Sequence, residues 1–249
     1  MGKIVAIGGG ENGRPGTAYE TGAIDREIIA MTGRERPRFL FVGLAQVSSE
    51  GYYNVMRNIY HGMYGCETEH LTAEDIKSAR VASAKIAGAD IIYVGGGNTL
   101  RLMKLLRKHG VDAMLAAAYE NNTVLCGVSA GAICWCDYGN SDSRKFTSGS
   151  EQLIRVKGLG FVHVLMCPHF DAEPQRQADL PRMMKTIYRI PAVALDNGAA
   201  LVINGDKFKI ITSIEGAKAR KCAWKHEEYF EMPLDSSVGE GCIMGLYTI

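Results

Sequence analysis

The segment Thr123–Trp135, TVLCGVSAGAICW, carries the residues whose types and spacing point most directly to chemistry. An apolar run rich in β-formers ends in Gly127-Val128-Ser129-Ala130-Gly131, and small apolar residues follow as at the start of a buried helix. This is the strand–sharp turn–helix pattern that lifts one hydroxyl above the C-terminal edge of a sheet. Glycines on both sides let backbone segments approach where a Cβ would clash. Ser129 is therefore a candidate nucleophile for acyl transfer. The same spacing also describes a tight turn without chemistry, so the serine needs partners.

A nucleophilic hydroxyl needs a base. Val162–Met166 reads as a strand, and Cys167-Pro168-His169-Phe170-Asp171 follows at its end, with Pro168 breaking the ladder. Strand ends at the C-terminal edge of a parallel sheet gather at one crevice, which makes His169 the expected base. His163 lies inside that strand, and His61, His70, His109 and His226 read as helix or surface residues. A second buried strand, Ile91–Val94, runs into Gly95-Gly96-Gly97-Asn98-Thr99 and a helix. One amide from this turn and the Ala130 amide are placed to hold a tetrahedral oxyanion. The turn lacks the G-x-G-x-x-G spacing, and the chain has no G-x-x-x-x-G-K-[ST], so a phosphate site is disfavoured. Gly8-Gly9-Gly10-Glu11-Asn12 follows the first strand and is expected to line the same crevice. The group that orients the histidine stays open between Asp196, Asn197 and Asp142. A carboxylate there would stabilise the imidazolium, whereas an Asn would only orient the ring.

These groups need an alternating framework to bring them together. Strands are expected at Lys3–Ile7, Arg38–Val42, Cys66–Leu71, Ile91–Val94, Thr123–Cys126, Val162–Met166 and Ala192–Leu195. Helices are expected at Thr21–Thr32, Glu50–Tyr64, Ala73–Ala87, Thr99–Lys108, Val111–Glu120 and Gln175–Tyr188, with Thr72 and either Asn98 or Thr99 as capping residues. The alternation implies a three-layer α/β fold with a mostly parallel sheet and right-handed crossovers. Ala200–Asn204, Lys207–Thr212, Ala217–Lys225 and Ile243–Tyr247 read as short strands that extend the same sheet in antiparallel fashion. With no linker and no internal repeat, residues 1–249 read as one domain.

Composition narrows the partners. The 249 residues are 47% hydrophobic and 22% charged with a net charge of +1, so nothing favours nucleic acid. No apolar run approaches the length of a membrane span. MGKIVAIGGG reads as a first strand rather than a signal peptide or a myristoylation site. Seven scattered cysteines suggest reduced thiols and a cytoplasmic setting. Cys134 and Cys136 lack further ligands at zinc spacing, so no metal is expected.

Taken together, VGGGNT, GVSAG, PHFD and LDNGAAL, in this order, resemble the peptidase E/cyanophycinase family of serine peptidases, family S51. The resemblance runs from about Lys3 to about Ser213. It implies a class I glutamine-amidotransferase-like fold and no metal or organic cofactor. It implies Ser129 as nucleophile, His169 as base, and the Gly97 and Ala130 amides as oxyanion donors. The family's triad acid is a Glu, where this chain has Asn197. The implied substrate is a short peptide with an N-terminal aspartyl residue, or the β-aspartyl-arginine polymer cyanophycin. Gly96, Asn98 and Thr99 are expected to bind it, with Arg176 and Arg182 as cations for its carboxylate. Trp135–Tyr138 is a candidate pocket wall. The departure at Asn197 leaves a second reading, a catalytically idle protein that binds a small acidic ligand. A homodimer stays open as the assembly.

Overall fold

The computed structural model describes residues 2–187, 189–235, 237 and 239–248. Its strands, in chain order, are β1 (Lys3–Ile7), β2 (Arg38–Val42), β3 (Glu67–Leu71), β4 (Ile91–Val94), β5 (Val124–Val128), β6 (Cys136–Ser141) and β7 (Ile154–Lys157). They continue as β8 (Val162–Cys167), β9 (Ala192–Leu195), β10 (Ala199–Asn204), β11 (Lys207–Thr212), β12 (Ala219–Lys225), β13 (Glu228–Leu234) and β14 (Gly241–Cys242).

An eight-stranded sheet has the order β14-β11-β10-β1-β5-β4-β2-β3. Strands β1, β5, β4, β2 and β3 pair in parallel, and β10, β11 and β14 add an antiparallel flank. Alternation along β2 shows why the fold is layered. Leu40 and Val42 enter one buried cluster, while Phe39 and Phe41 enter another on the opposite face. Successive side chains of a strand point to opposite faces, so a continuous apolar run demands cover on both. The fold is thus the expected layered α/β type.

The sheet itself divides. Strands β8, β9 and β12, expected in the main sheet, belong to a second, six-stranded sheet of order β13-β12-β9-β8-β6-β7. Its centre, β6-β8-β9, is parallel. The division was hidden because its remaining strands give weak signals: CDYGNS and EYFEMPL lack an apolar alternation, and IRVK alternates over only four residues. Strand β6 gives β8 a neighbour outside the main sheet.

Other boundaries shift for local reasons. Ile243–Tyr247 is a short helix rather than a strand, and buries Ile243 and Leu246 at helical spacing. The expected helix Glu50–Tyr64 is α-helical only to Arg57 and continues as a π-turn over Asn58–Met63. The one expected from Ala73 begins as a short 3₁₀ turn and restarts at Ala79, where Ser78 accepts from the Val81 N–H at 3.4 Å. Asn98 caps the helix Thr99–Lys108 by accepting from the Arg101 N–H at 3.0 Å. The helix expected over Gln175–Tyr188 spans Pro174–Lys185, and Tyr188 lies outside the described residues. All seven cysteines are free thiols, and six are buried. Among the described residues no helix is long and apolar enough to cross a membrane.

Candidate active site

Ser129 sits between β5 and the helical turn Ala130–Ile133 with φ 56° and ψ −111°. A non-glycine residue held there costs about 1–3 kcal/mol, so its surroundings must over-determine it. They do. A Cβ on Gly131 would lie 2.0 Å from the Val94 carbonyl oxygen, and one on Gly127 would lie 2.7 Å from it. Only glycines on both sides let β4 press against the elbow. His169, in the loop after β8, is also at positive φ, 52°.

Three successive carbonyls of the segment after β1 tie these loops together. Ile7 accepts from the Ser129 N–H at 3.1 Å, Gly8 from the His169 N–H at 3.2 Å, and Gly9 from the Gly198 N–H at 2.9 Å. The loops of two sheets therefore meet at one backbone seam. Across it, His169 Nδ1 lies 2.7 Å from Asn197 Oδ1. An amide oxygen only accepts, so Nδ1 carries the proton and Nε2 is left with a free lone pair. Asn197 is itself fixed, because its N–H donates to Asp171 Oδ1 at 2.8 Å. Burial lowers the His169 pKa below the usual imidazole value. The Asn197 contact opposes this, the Arg176 charge adds to it, and the Glu173 and Asp142 charges oppose it.

Ser129, His169 and Asn197 open into one cleft of about 630 Å³, which Gly96 and Gly97 also line. Gly97 has φ 138°, and a Cβ there would fall 2.9 Å from the Ala45 carbonyl oxygen. Ala130 is buried in the turn that follows the serine. Glu11, Arg14, Tyr52 and Glu173 line it as well.

The family model for peptidase family S51 matches residues 4–211. The chain belongs to peptidase family S51. It is a peptidase, and so a hydrolase. It is 34% identical over 239 residues to the "Uncharacterized peptidase YgaJ" of Bacillus subtilis (strain 168), covering 94% of this chain and 97% of that protein. It is 31% identical over 160 residues to a "Peptidase E" of Citrobacter koseri, covering 63% of this chain and 64% of that one. The fold resembles the crystal structure of a peptidase from an acI-B1 Actinobacterium. The TM-score is 0.68 at 19% identity, with 94% of this chain and 97% of that chain covered.

Several residues singled out in the S51 chain lie elsewhere. Asp196 does not face the histidine. It is buried, and its carboxylate accepts from Arg220 Nη1 at 2.8 Å and from the Lys218 N–H at 2.9 Å. Asp142 approaches Arg176 Nη2 at 4.0 Å instead. Asn98 is spent on its cap, and Thr99 is buried with its hydroxyl accepting from Ser141 Oγ at 2.9 Å. Arg176 is only 1% exposed and donates to Glu173 Oε2 at 2.8 Å and to the Asn140 carbonyl at 2.6 Å. Arg182 is 72% exposed, pairs with Asp179, and borders a different groove with Glu151 and Gln175. Trp135 is core, stacked on Phe161 at 6.1 Å.

The cleft arginine is Arg14, which sequence reasoning missed. It makes a two-pronged contact with Glu11, with Nη2 2.7 Å from Oε2 and Nε 3.1 Å from the same oxygen. Its segment is pinned by an Asn12–Tyr19 bridge and by Tyr19 donating to Asp25 Oδ2 at 2.8 Å. The signal was its place four residues after the Gly8-Gly9-Gly10 turn that the chemistry already implicated.

Gly9 is the residue to perturb. An added Cβ would fall 2.0 Å from Asn197 Oδ1 and 2.4 Å from His169 Nδ1. Gly9→Ala should therefore break the His169–Asn197 hydrogen bond and cost about 1–3 kcal/mol of stability. Imidazole nitrogen NMR and urea unfolding read the two effects. An Nδ1–H resonance unchanged in the variant would contradict the contact.

Proposed function

We propose that this S51 peptidase is a serine exopeptidase acting on short peptides. The observation that carries the reading is the His169–Asn197 contact of 2.7 Å at the edge of the cleft into which Ser129 opens. Ser129 Oγ attacks the scissile carbonyl and passes its proton to His169 Nε2. The Gly97 and Ala130 amides receive the developing oxyanion. As the C–N bond breaks, His169 returns the proton to the leaving amine. Water, deprotonated by the same imidazole, then hydrolyses the seryl ester. Asn197 orients the ring without adding charge, so the imidazolium gains no carboxylate partner at Nδ1.

An N-terminal aspartyl preference needs a cation on the cleft wall, and Arg14 supports it there. Its side chain keeps 58% of its surface exposed, and its Glu11 partner pre-orients the guanidinium for a bidentate carboxylate contact. Six buried free thiols support a reducing, cytoplasmic setting.

Ser129→Ala should abolish hydrolysis and covalent labelling by a fluorophosphonate probe. Full activity in that variant would sink the mechanism. A second outcome concerns pH. His169 acts as a base only when neutral, and its depressed pKa places the acid limb of kcat/KM below the ordinary imidazole range. Asn197→Asp adds a negative charge beside Nδ1, raises the imidazole pKa, and should move that limb upward by about one unit or more. A limb that stays in place or moves down would remove His169 from the base role. Arg14→Ala should raise KM for aspartyl substrates by about tenfold and leave alanyl substrates little changed. Equal losses on both would argue against a carboxylate contact.

A further inference from the structure

Glu173 stands one turn beyond His169, and its N–H donates to the His169 carbonyl at 3.0 Å. Its carboxylate lines the same cleft as Ser129 and His169 and keeps 29% of its surface exposed. Behind it lies the buried Arg176 guanidinium, which holds Glu173 Oε2 through Nε at 2.8 Å. Among the described residues no side-chain donor holds Glu173 Oε1. Arg176 also faces Asp142 at 4.0 Å, so one positive charge is set between two negative ones. The remaining cleft charges, Glu11 and Arg14, neutralise each other. The Glu, Asp, Lys and Arg side chains that line the cleft therefore sum to one negative charge, and Glu173 presents one oriented, unused carboxylate oxygen to it.

We propose that Glu173 binds the protonated α-amino group of the substrate, so that the carbonyl presented to Ser129 is that of the N-terminal residue. The assignment rests on the serine-exopeptidase reading above and names the side chain that would recognise the free N-terminal ammonium such substrates carry. The carboxylate is held from behind by a buried guanidinium, so little rotamer freedom is lost when the ammonium docks. A charge-assisted contact of this kind is worth about 10- to 100-fold in binding. An N-acylated peptide or an internal segment offers no cation. It would bury Glu173 unsatisfied, which is how such a site rejects endopeptidase substrates. Arg176 is a positioning residue in this arrangement, since it reaches the substrate only through Glu173.

The test uses a library of aminoacyl p-nitroanilides and their desamino counterparts, which differ only by the α-amino group. The protein should favour the free amine by about 10- to 100-fold in kcat/KM. Glu173→Gln should collapse that ratio toward one, chiefly through KM, and Glu173→Asp should restore part of it. An unchanged ratio in a folded Glu173→Gln variant would overturn the assignment. Should that variant fail to fold around the unpaired Arg176, the unaltered protein still decides the matter. Its KM ratio, free amine to desamino, should climb above about pH 8 as the substrate ammonium loses its proton. A flat ratio would overturn the assignment. Calorimetric binding of alanyl-alanine and its N-acetyl form to Ser129→Ala separates the two readings. Amine-selective binding there, together with no hydrolysis by the unaltered protein, would remove the serine mechanism and keep Glu173. Hydrolysis without amine selectivity would do the reverse.

Discussion

The site depends on one run of backbone. Ile7, Gly8 and Gly9 offer three successive carbonyls to the amides of Ser129, His169 and Gly198. The serine comes from the main sheet, the histidine and its partner from the second. Gly8 and Gly9 are glycines for a reason of space. A Cβ on Gly8 would lie 2.4 Å from the Asp196 carbonyl oxygen, and one on Gly9 would enter the His169–Asn197 contact. The glycine cluster after β1 is thus the strut that sets the distance between Ser129 and His169.

Strain accumulates around that strut. Ser129 and His169 are both non-glycine residues at positive φ, each costing on the order of 1–3 kcal/mol. The cost is met by burial close by. Strands β4 and β5 are buried along their whole length, as are β9 and most of β8. Each buried Val, Leu or Ile contributes roughly 1.5–3 kcal/mol relative to exposure. A turn that leaves such a strand and is held by the carbonyls of Ile7 or Gly8 cannot relax without disturbing the core. That is why the two strained turns sit directly after fully apolar strand ends rather than on longer, freer connections.

How much was legible in the sequence follows from the same physics. Ser129, the Gly97 turn and the loop of His169 were readable because each follows an apolar strand, and apolar runs announce themselves. A cap at Asn98 or Thr99 was readable from residue type, and the structure decides for Asn98. The second sheet was not, because β6, β7 and β13 owe their strand state to pairing partners rather than to pattern. The choice between Asp196 and Asn197 was also out of reach. Adjacent residues after a strand point to opposite sides, and only the position of Arg220 on β12 decides which side is the salt bridge and which is the histidine. Arg176 misled for a related reason. Its type suits a substrate carboxylate, but the Asn140 carbonyl and Glu173 claim it inside the protein.

These placements change what the Asn at position 197 means. A triad carboxylate would raise the pKa of a buried imidazole and stabilise its cation from Nδ1. Here burial depresses the ring's proton affinity and the Asn oxygen only partly offsets that. The missing negative charge is instead displaced outward, onto Glu173 and Asp142, whose charges also raise the imidazole pKa. They do so across a greater separation and with Arg176 between them as a counterweight. An ammonium docked on Glu173 would offset its charge and so lower the imidazole pKa further, keeping the ring neutral. Orientation of the ring and electrostatic control of the cleft, which one carboxylate could serve at once, are thereby divided between Asn197 and Glu173.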